Sequence, residues 1–226
     1  IRHDSFDFYL MQARALVLQS GSSAGRDSAK VQFQTVLSKK ATGVQAAVAH
    51  YGLSVVYALD GDAAQAYAEA QKAVQMAGRN DVFLQKNLLQ TRYAMAADKK
   101  PVLKEIAALA NDNPLSVMLA KTYIEDLYEQ GMHEEILKYL KGQSAISQDN
   151  ADYFRYLARS SEALGRRSEA FRATGKMYAL QGDWKMAAYQ FKQAQRVSDG
   201  DFFTMSEVDA DLREAEDHLK QDKPHH

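Results

Sequence analysis

Cysteine is absent from this chain of 226 residues. That excludes a disulfide scaffold and a thiol nucleophile, and a cysteine-free chain suits an oxidising or a reducing compartment equally. Proline is scarce, with 3 residues, two of them between helical stretches. Charge of one sign is lacking too. Lys plus Arg number 28 against 29 for Asp plus Glu, a net charge of −1, which argues against a dedicated nucleic-acid binder. No apolar run approaches the ~18 residues needed to span a bilayer. No alternating β-branched run is long enough to require a strand. Neither a Gly-x-Gly-x-x-Gly pattern nor a phosphate-binding loop occurs.

What is present favours helix: Ala, Leu, Gln, Glu, Lys and Arg dominate. Glycine supplies a period. Gly131 and Gly165 stand 34 residues apart, Gly165 and Gly182 stand 17 apart, and Gly61 lies 70 residues before Gly131. A period of about 34 residues is that of a tetratricopeptide (TPR) unit, two antiparallel helices joined by a tight turn. Such units cannot bury their apolar faces alone and stack into a solenoid. The side chains agree. Leu53, Ser54 and Tyr57 precede Gly61-Asp62, and Ala66, Ala70 and Ala73 follow. The strongest match is Gly175, Tyr178, Gly182, Ala187, Phe191 and Ala194. Small residues let helix backbones approach while a neighbouring aromatic fills the adjoining space.

Several boundaries follow. A first helix over Ser5 to Gln19 carries Phe8, Met11, Ala15 and Leu18 at helical spacing, and a second carries Ala29, Phe33 and Val36. Asp98-Lys99-Lys100-Pro101 replaces a glycine turn, with Pro101 at a helix start. Residues 142–150 read as a polar linker. The helix from Arg167 to Gln181 closes one unit and opens the next. A last charged helix from Thr204 to Lys220 reads as a cap. The expected fold is an all-α TPR solenoid of ten to twelve antiparallel helices, a curved right-handed superhelix with a capping C-terminal helix. Residues 1–222 form one domain in this reading. The tail 223–226 reads as a tag remnant as readily as native sequence, and the start at Ile1 without Met reads as a fragment or processed product.

Candidate chemistry is thin. His133-Glu134-Glu135-Ile136-Leu137 begins like the zinc-protease motif His-Glu-x-x-His, but Leu137 stands where the second ligand belongs. His3, His50 and His218 are isolated, and Ser5, Ser22, Ser161 and Ser206 lack a triad context. No catalytic, cofactor-binding or metal residue is assigned. Residues beside the buried stripe of each first helix would face a binding groove: Tyr51, Asn87, Thr91, Lys121, Glu125, Tyr128, Arg155, Arg159, Arg172 and Lys176. The later members are mostly basic and predict attraction for acidic segments or a chain-end carboxylate. The plainer reading is a solvated face with ion pairs to Glu162 and Glu169. Trp184 with Tyr178 and Phe191 reads as packing, and Tyr128 and Tyr156 as exposed aromatics.

Some segments carry a family likeness. Asp7-Phe8-Tyr9-Leu10 through Arg14-Ala15-Leu16-Val17-Leu18 is one, and His50-Tyr51-Gly52-Leu53 is another. The ending is a third: Lys176-Met177-Tyr178-Ala179-Leu180-Gln181-Gly182-Asp183, Ala187-Ala188, Asp201-Phe202-Phe203, Ser206 and Asp209-Ala210-Asp211-Leu212. In order and spacing these resemble the C-terminal TPR region of BepA-type periplasmic zinc metalloproteases. The resemblance implies a Gram-negative periplasmic protein of outer-membrane β-barrel assembly. This chain would be its non-catalytic docking part, contacting the assembly machinery, client barrels and its own N-terminal protease domain. Zinc is expected only in that missing domain, whose ligands have no matching positions here. The other reading is a free-standing TPR adaptor, such as a cytoplasmic one, with no enzyme attached.

Overall fold

A computed structural model describes residues 5–19 and 21–222. The tail 223–226, His3 and the start at Ile1 lie outside the described residues. Those described form twelve α-helices and no strand. The chain divides into two compact units, Ile1–Leu109 and Ala110–His226, and the division falls inside the sixth helix.

The first unit holds α1 (Ser5–Gln19), α2 (Ser23–Ser38), α3 (Gly43–Leu59), α4 (Ala63–Ala77), α5 (Val82–Met95) and most of α6 (Lys100–Asp112). Its centre is α3, which packs against α1, α2 and α4. That explains why α3 is buried on most sides, from Ala46 to Val56. Gly52 on α3 lets the Phe33 ring lie against its backbone; a Cβ there would meet the ring at 2.3 Å. The far end of α5 is closed by Lys99, whose Nζ donates to the carbonyls of Tyr93 (2.6 Å) and Ala96 (3.3 Å), a cation at the negative helix end.

The second unit holds the end of α6, then α7 (Val117–Glu129), α8 (His133–Gly142), α9 (Ala151–Ala163), α10 (Arg167–Leu180), α11 (Trp184–Val197) and α12 (Phe202–Gln221). From α7 onward each helix packs on the next, and α10 also touches α12. Gly175 on α10 receives the fully buried Phe191 of α11; a Cβ there would meet the ring at 2.5 Å.

Four turns share one conformation. Gly61, Gly131, Gly165 and Gly182 have φ of 79°, 69°, 73° and 76°, the left-handed region. At each, the glycine N–H donates to the carbonyl three residues back, at Ala58, Tyr128, Glu162 or Ala179. The following N–H donates five residues back, at Tyr57, Leu127, Ser161 or Tyr178. These paired bonds satisfy carbonyls that the helix end would leave open. The residue after each glycine (Asp62, Met132, Arg166, Asp183) then serves as N-cap of the next helix. Asp62 and Asp183 cap it with their own carboxylates, accepting from Gln65 N–H and Met186 N–H. Arg166 cannot, and the α10 start is capped from a distance. Asp199 accepts from Arg167 N–H (2.9 Å) and Ser168 N–H (2.8 Å), while Ser168 Oγ donates to the Ala194 carbonyl.

Four sequence expectations need correction. The buried stripe of α1 is Phe6, Leu10, Ala13 and Val17, while Phe8, Met11, Ala15 and Leu18 face outward. The helix is apolar on two overlapping stripes, and periodicity alone does not choose between them. On α2, Val36 is exposed and its neighbour Leu37 packs on the core instead. Residues 142–150 are no loose linker: Ile146 is buried, and Gln143 brackets it by accepting from Ile146 N–H and donating to the Ile146 and Leu140 carbonyls. The last helix starts two residues early, at Phe202, because Asp201 caps it through Thr204 N–H.

Gly175→Ala tests the packing. In an open helix position the change would stabilise by about 0.5–1 kcal/mol. Against the immobile Phe191 ring it should instead cost about 1–3 kcal/mol in urea unfolding, and Phe191→Leu in the same chain should recover part of that loss.

Candidate functional site

Helix geometry aligns Lys121, Glu125 and Tyr128 along α7, since residues three and four apart share a face. The same rule aligns Asp152, Arg155 and Arg159 along α9. The two rows meet. Lys121 Nζ lies 2.5 Å from Asp152 Oδ2, and Arg155 pairs with the other oxygen of the same carboxylate. One turn on, Arg159 reaches Glu125 through both terminal nitrogens, at 3.3 and 3.4 Å. Those two residues are 34 positions apart in sequence, one period. The Arg159 guanidinium also lies over the Tyr128 ring, 3.5 Å from its centroid, with the Tyr156 ring at 5.3 Å. Its Nε is buried and has no partner among the described residues. The His133 ring meets Tyr128 edge-on at 5.2 Å, and its Nδ1 lies 3.3 Å from Ser160 Oγ.

The electrostatics follow from this pairing. The hydrogen bond from Lys121 holds the Asp152 carboxyl below its usual range, helped by the charges of Lys121 and Arg155. The same bond raises Lys121. Burial raises the Tyr156 phenol, and the Glu125 charge adds to it. The face is a ladder of alternating charge flanked by aromatics. Its cations Lys121, Arg155 and Arg159 are each paired with a carboxylate of this chain.

The remaining candidates sit elsewhere. Arg172 and Lys176 on α10 are held by α12: Arg172 Nε is 2.7 Å from Asp211, Arg172 Nη1 is 3.0 Å from Glu207, and Lys176 Nζ is 3.7 Å from Asp211. In the first unit Tyr51 is buried, and burial raises its phenol against the opposing charge and hydrogen bond of Arg14. Asn87 donates to Ser54 Oγ (2.9 Å), and Ser54 donates to the Ala66 carbonyl (2.7 Å). Thr91 is buried and donates to the carbonyls of Asn87 and Leu88. Tyr51, Asn87 and Thr91 thus serve helix packing in this structure.

The expected ion partners Glu162 and Glu169 give way to Asp152, Glu125, Asp211 and Glu207. Asp152 lies one turn before Arg155 on α9, while Glu125, Asp211 and Glu207 lie on other helices than the arginines they meet, which periodicity along one helix does not reveal. Tyr156 is buried rather than exposed, while Tyr128 is partly exposed. Two histidines are less isolated than their spacing suggests: His50 Nδ1 lies 2.5 Å from Glu69 Oε2, and the His218 ring stacks on Trp184 at 3.7 Å. Among the described residues no cluster of three His, Cys, Asp or Glu is placed to hold a metal ion, and no helix is long and apolar enough to cross a membrane. No protein-family model matches the chain, and no curated protein matches its sequence.

Asp152→Asn should lower stability at neutral pH. The folded pKa of Asp152 lies below the unfolded value of about 3.9, so its stabilisation is present above that pH and is lost as pH falls through the folded value. Urea unfolding of both proteins as a function of pH should show the gap closing in acid. A gap independent of pH would mean that Asp152 acts through packing and not charge.

Proposed function

We propose that this chain is a TPR-type helical-repeat domain that binds protein segments, and that it is the docking part of a BepA-type periplasmic zinc metalloprotease. The observation that carries the repeat reading is the contact of residues one period apart. Arg159 meets Glu125 across 34 positions between first helices of successive pairs, each pair closed by the same left-handed glycine turn. Stacked helix pairs present such first helices side by side, and that surface is the one repeat proteins use for recognition. The α7–α9 ladder is the docking surface in this proposal. Its partner is a segment carrying carboxylates, which takes over Arg155, whose side chain is 60% exposed, and competes with Glu125 for Arg159.

The link to the protease family rests on the sequence resemblance. On that reading the partners are components of the outer-membrane β-barrel assembly machinery, client barrels and the enzyme's own protease domain, and the location is the periplasm. The described residues do not fit a zinc site: His133 faces Ser160 and Tyr128, and Leu137 is buried where a second histidine would be needed. Zinc and the hydrolytic chemistry would therefore belong to another domain, and this chain would contribute recognition alone. Affinity for a flexible segment is modest, because ordering the segment offsets much of the contact energy.

The test is capture of assembly components from outer-membrane extracts on the immobilised chain. Arg155→Glu with Arg159→Glu should lower capture at least about tenfold, and added salt should weaken wild-type capture. Unchanged capture by the double variant would remove the ladder from docking. Failure of the wild type to retain any assembly component, together with recovery of the native protein in the cytoplasmic fraction, would favour a free-standing adaptor.

A further inference from the structure

Two exposed features of the chain match each other. The first is a pair of aromatics at the start of α12: Phe202 is 90% exposed and Phe203 is 70% exposed. They do not ride on a loose loop. The Ser198 N–H donates to the Ala194 carbonyl, Asp199 is tied to the N-terminus of α10, and Asp201 caps Thr204. The pair is thus held ready, which lowers the ordering cost of inserting it. Asp199 and Asp201, which lead into the pair, are acidic. A rigid, exposed aromatic pair marks an interaction surface.

The second feature is an open cleft of about 560 Å³ in the first unit, where α1, α2 and α3 meet. Tyr9, Phe33, Val36, Val44 and Val48 line it, and Lys39 stands among them. Lys40 follows, exposed and held in the left-handed region at φ 58°. The cleft is apolar with a basic margin; the aromatic pair is apolar with an acidic margin.

We propose that Phe202 and Phe203 of one chain insert into the α1–α2–α3 cleft of a second copy, with Asp199 and Asp201 facing Lys39 and Lys40. The two surfaces differ, so each copy carries both halves of the contact. Charge complementarity commits the pair to a copy of this chain. This association is independent of the α7–α9 ladder, whose residues it does not use.

Sedimentation velocity across a concentration series tests it. The wild type should form dimers and longer species as concentration rises. Phe202→Ala with Phe203→Ala should raise the dissociation constant at least about thirtyfold. Lys39→Glu with Val44→Glu should do the same from the other side. All four positions are exposed, so the melting temperature should scarcely move. An equimolar mixture of the two double variants retains one good contact and should form dimers that grow no further. The proposal is overturned if the wild type stays monomeric up to about 1 mM. It is equally overturned if association survives the loss of both phenylalanines, or if the mixed variants fail to pair. A monomeric wild type that instead retains another protein through Phe202 and Phe203 also overturns it.

Discussion

A helix can reverse into its neighbour within two residues only if one of them enters the left-handed region, and side chains oppose that conformation. Everything periodic in this molecule depends on meeting that constraint with glycine. At Gly61, Gly131, Gly165 and Gly182 the same pair of backbone bonds closes one helix, and the next residue starts another. Because the turn is constant, the following helix departs in a constant direction. The same pair of faces is then offered for packing each time, and small residues at the crossings, such as Gly175 beneath Phe191, let the backbones close up.

This explains which parts of the structure were legible in the sequence. The glycine turns announce themselves because no other residue takes φ near +70° cheaply. The Gly175–Phe191 contact was legible because a glycine inside a helix is costly unless something fills its space. The phase of α1 was not legible, since Phe8, Met11, Ala15 and Leu18 have the same spacing as the stripe that is buried. Nor was the seating of Ile146, which depends on Gln143 folding back to meet it. Of the site, the residue types and their rows could be read from helical spacing. Most partners could not, because Glu125 and Asp211, and Asp152 toward Lys121, act across helices; only the Asp152–Arg155 pair lies within one helix turn. The period held an overlooked signal: Glu125 with Arg159, and Arg26 with Asp60, have opposite charge at a separation of 34.

The pairing also changes how the basic residues should be understood. Lys121, Arg155, Arg159, Arg172 and Lys176 looked like a positive surface in sequence, yet each has a carboxylate within reach. Half-exposed ion pairs of this kind contribute little stability. In the docking proposed above their effect would be on selection: an incoming acidic group would have to replace one already present, so charge alone would not suffice and the spacing of its carboxylates would have to match. The Tyr128 ring lies against the Arg159 guanidinium and would hold its plane during such an exchange.

The distant cap on α10 has a consequence for the order in which the molecule is made. Arg167 N–H and Ser168 N–H find their acceptor only in Asp199, 32 and 31 residues further along. During synthesis the start of α10 therefore emerges with two donors open, and it stays so until the whole of α11 has followed. Chains grow from the N-terminus at a few residues per second. Until then water has to meet those two donors, so the first turn of α10 gains its protein cap only from the far side of the next helix.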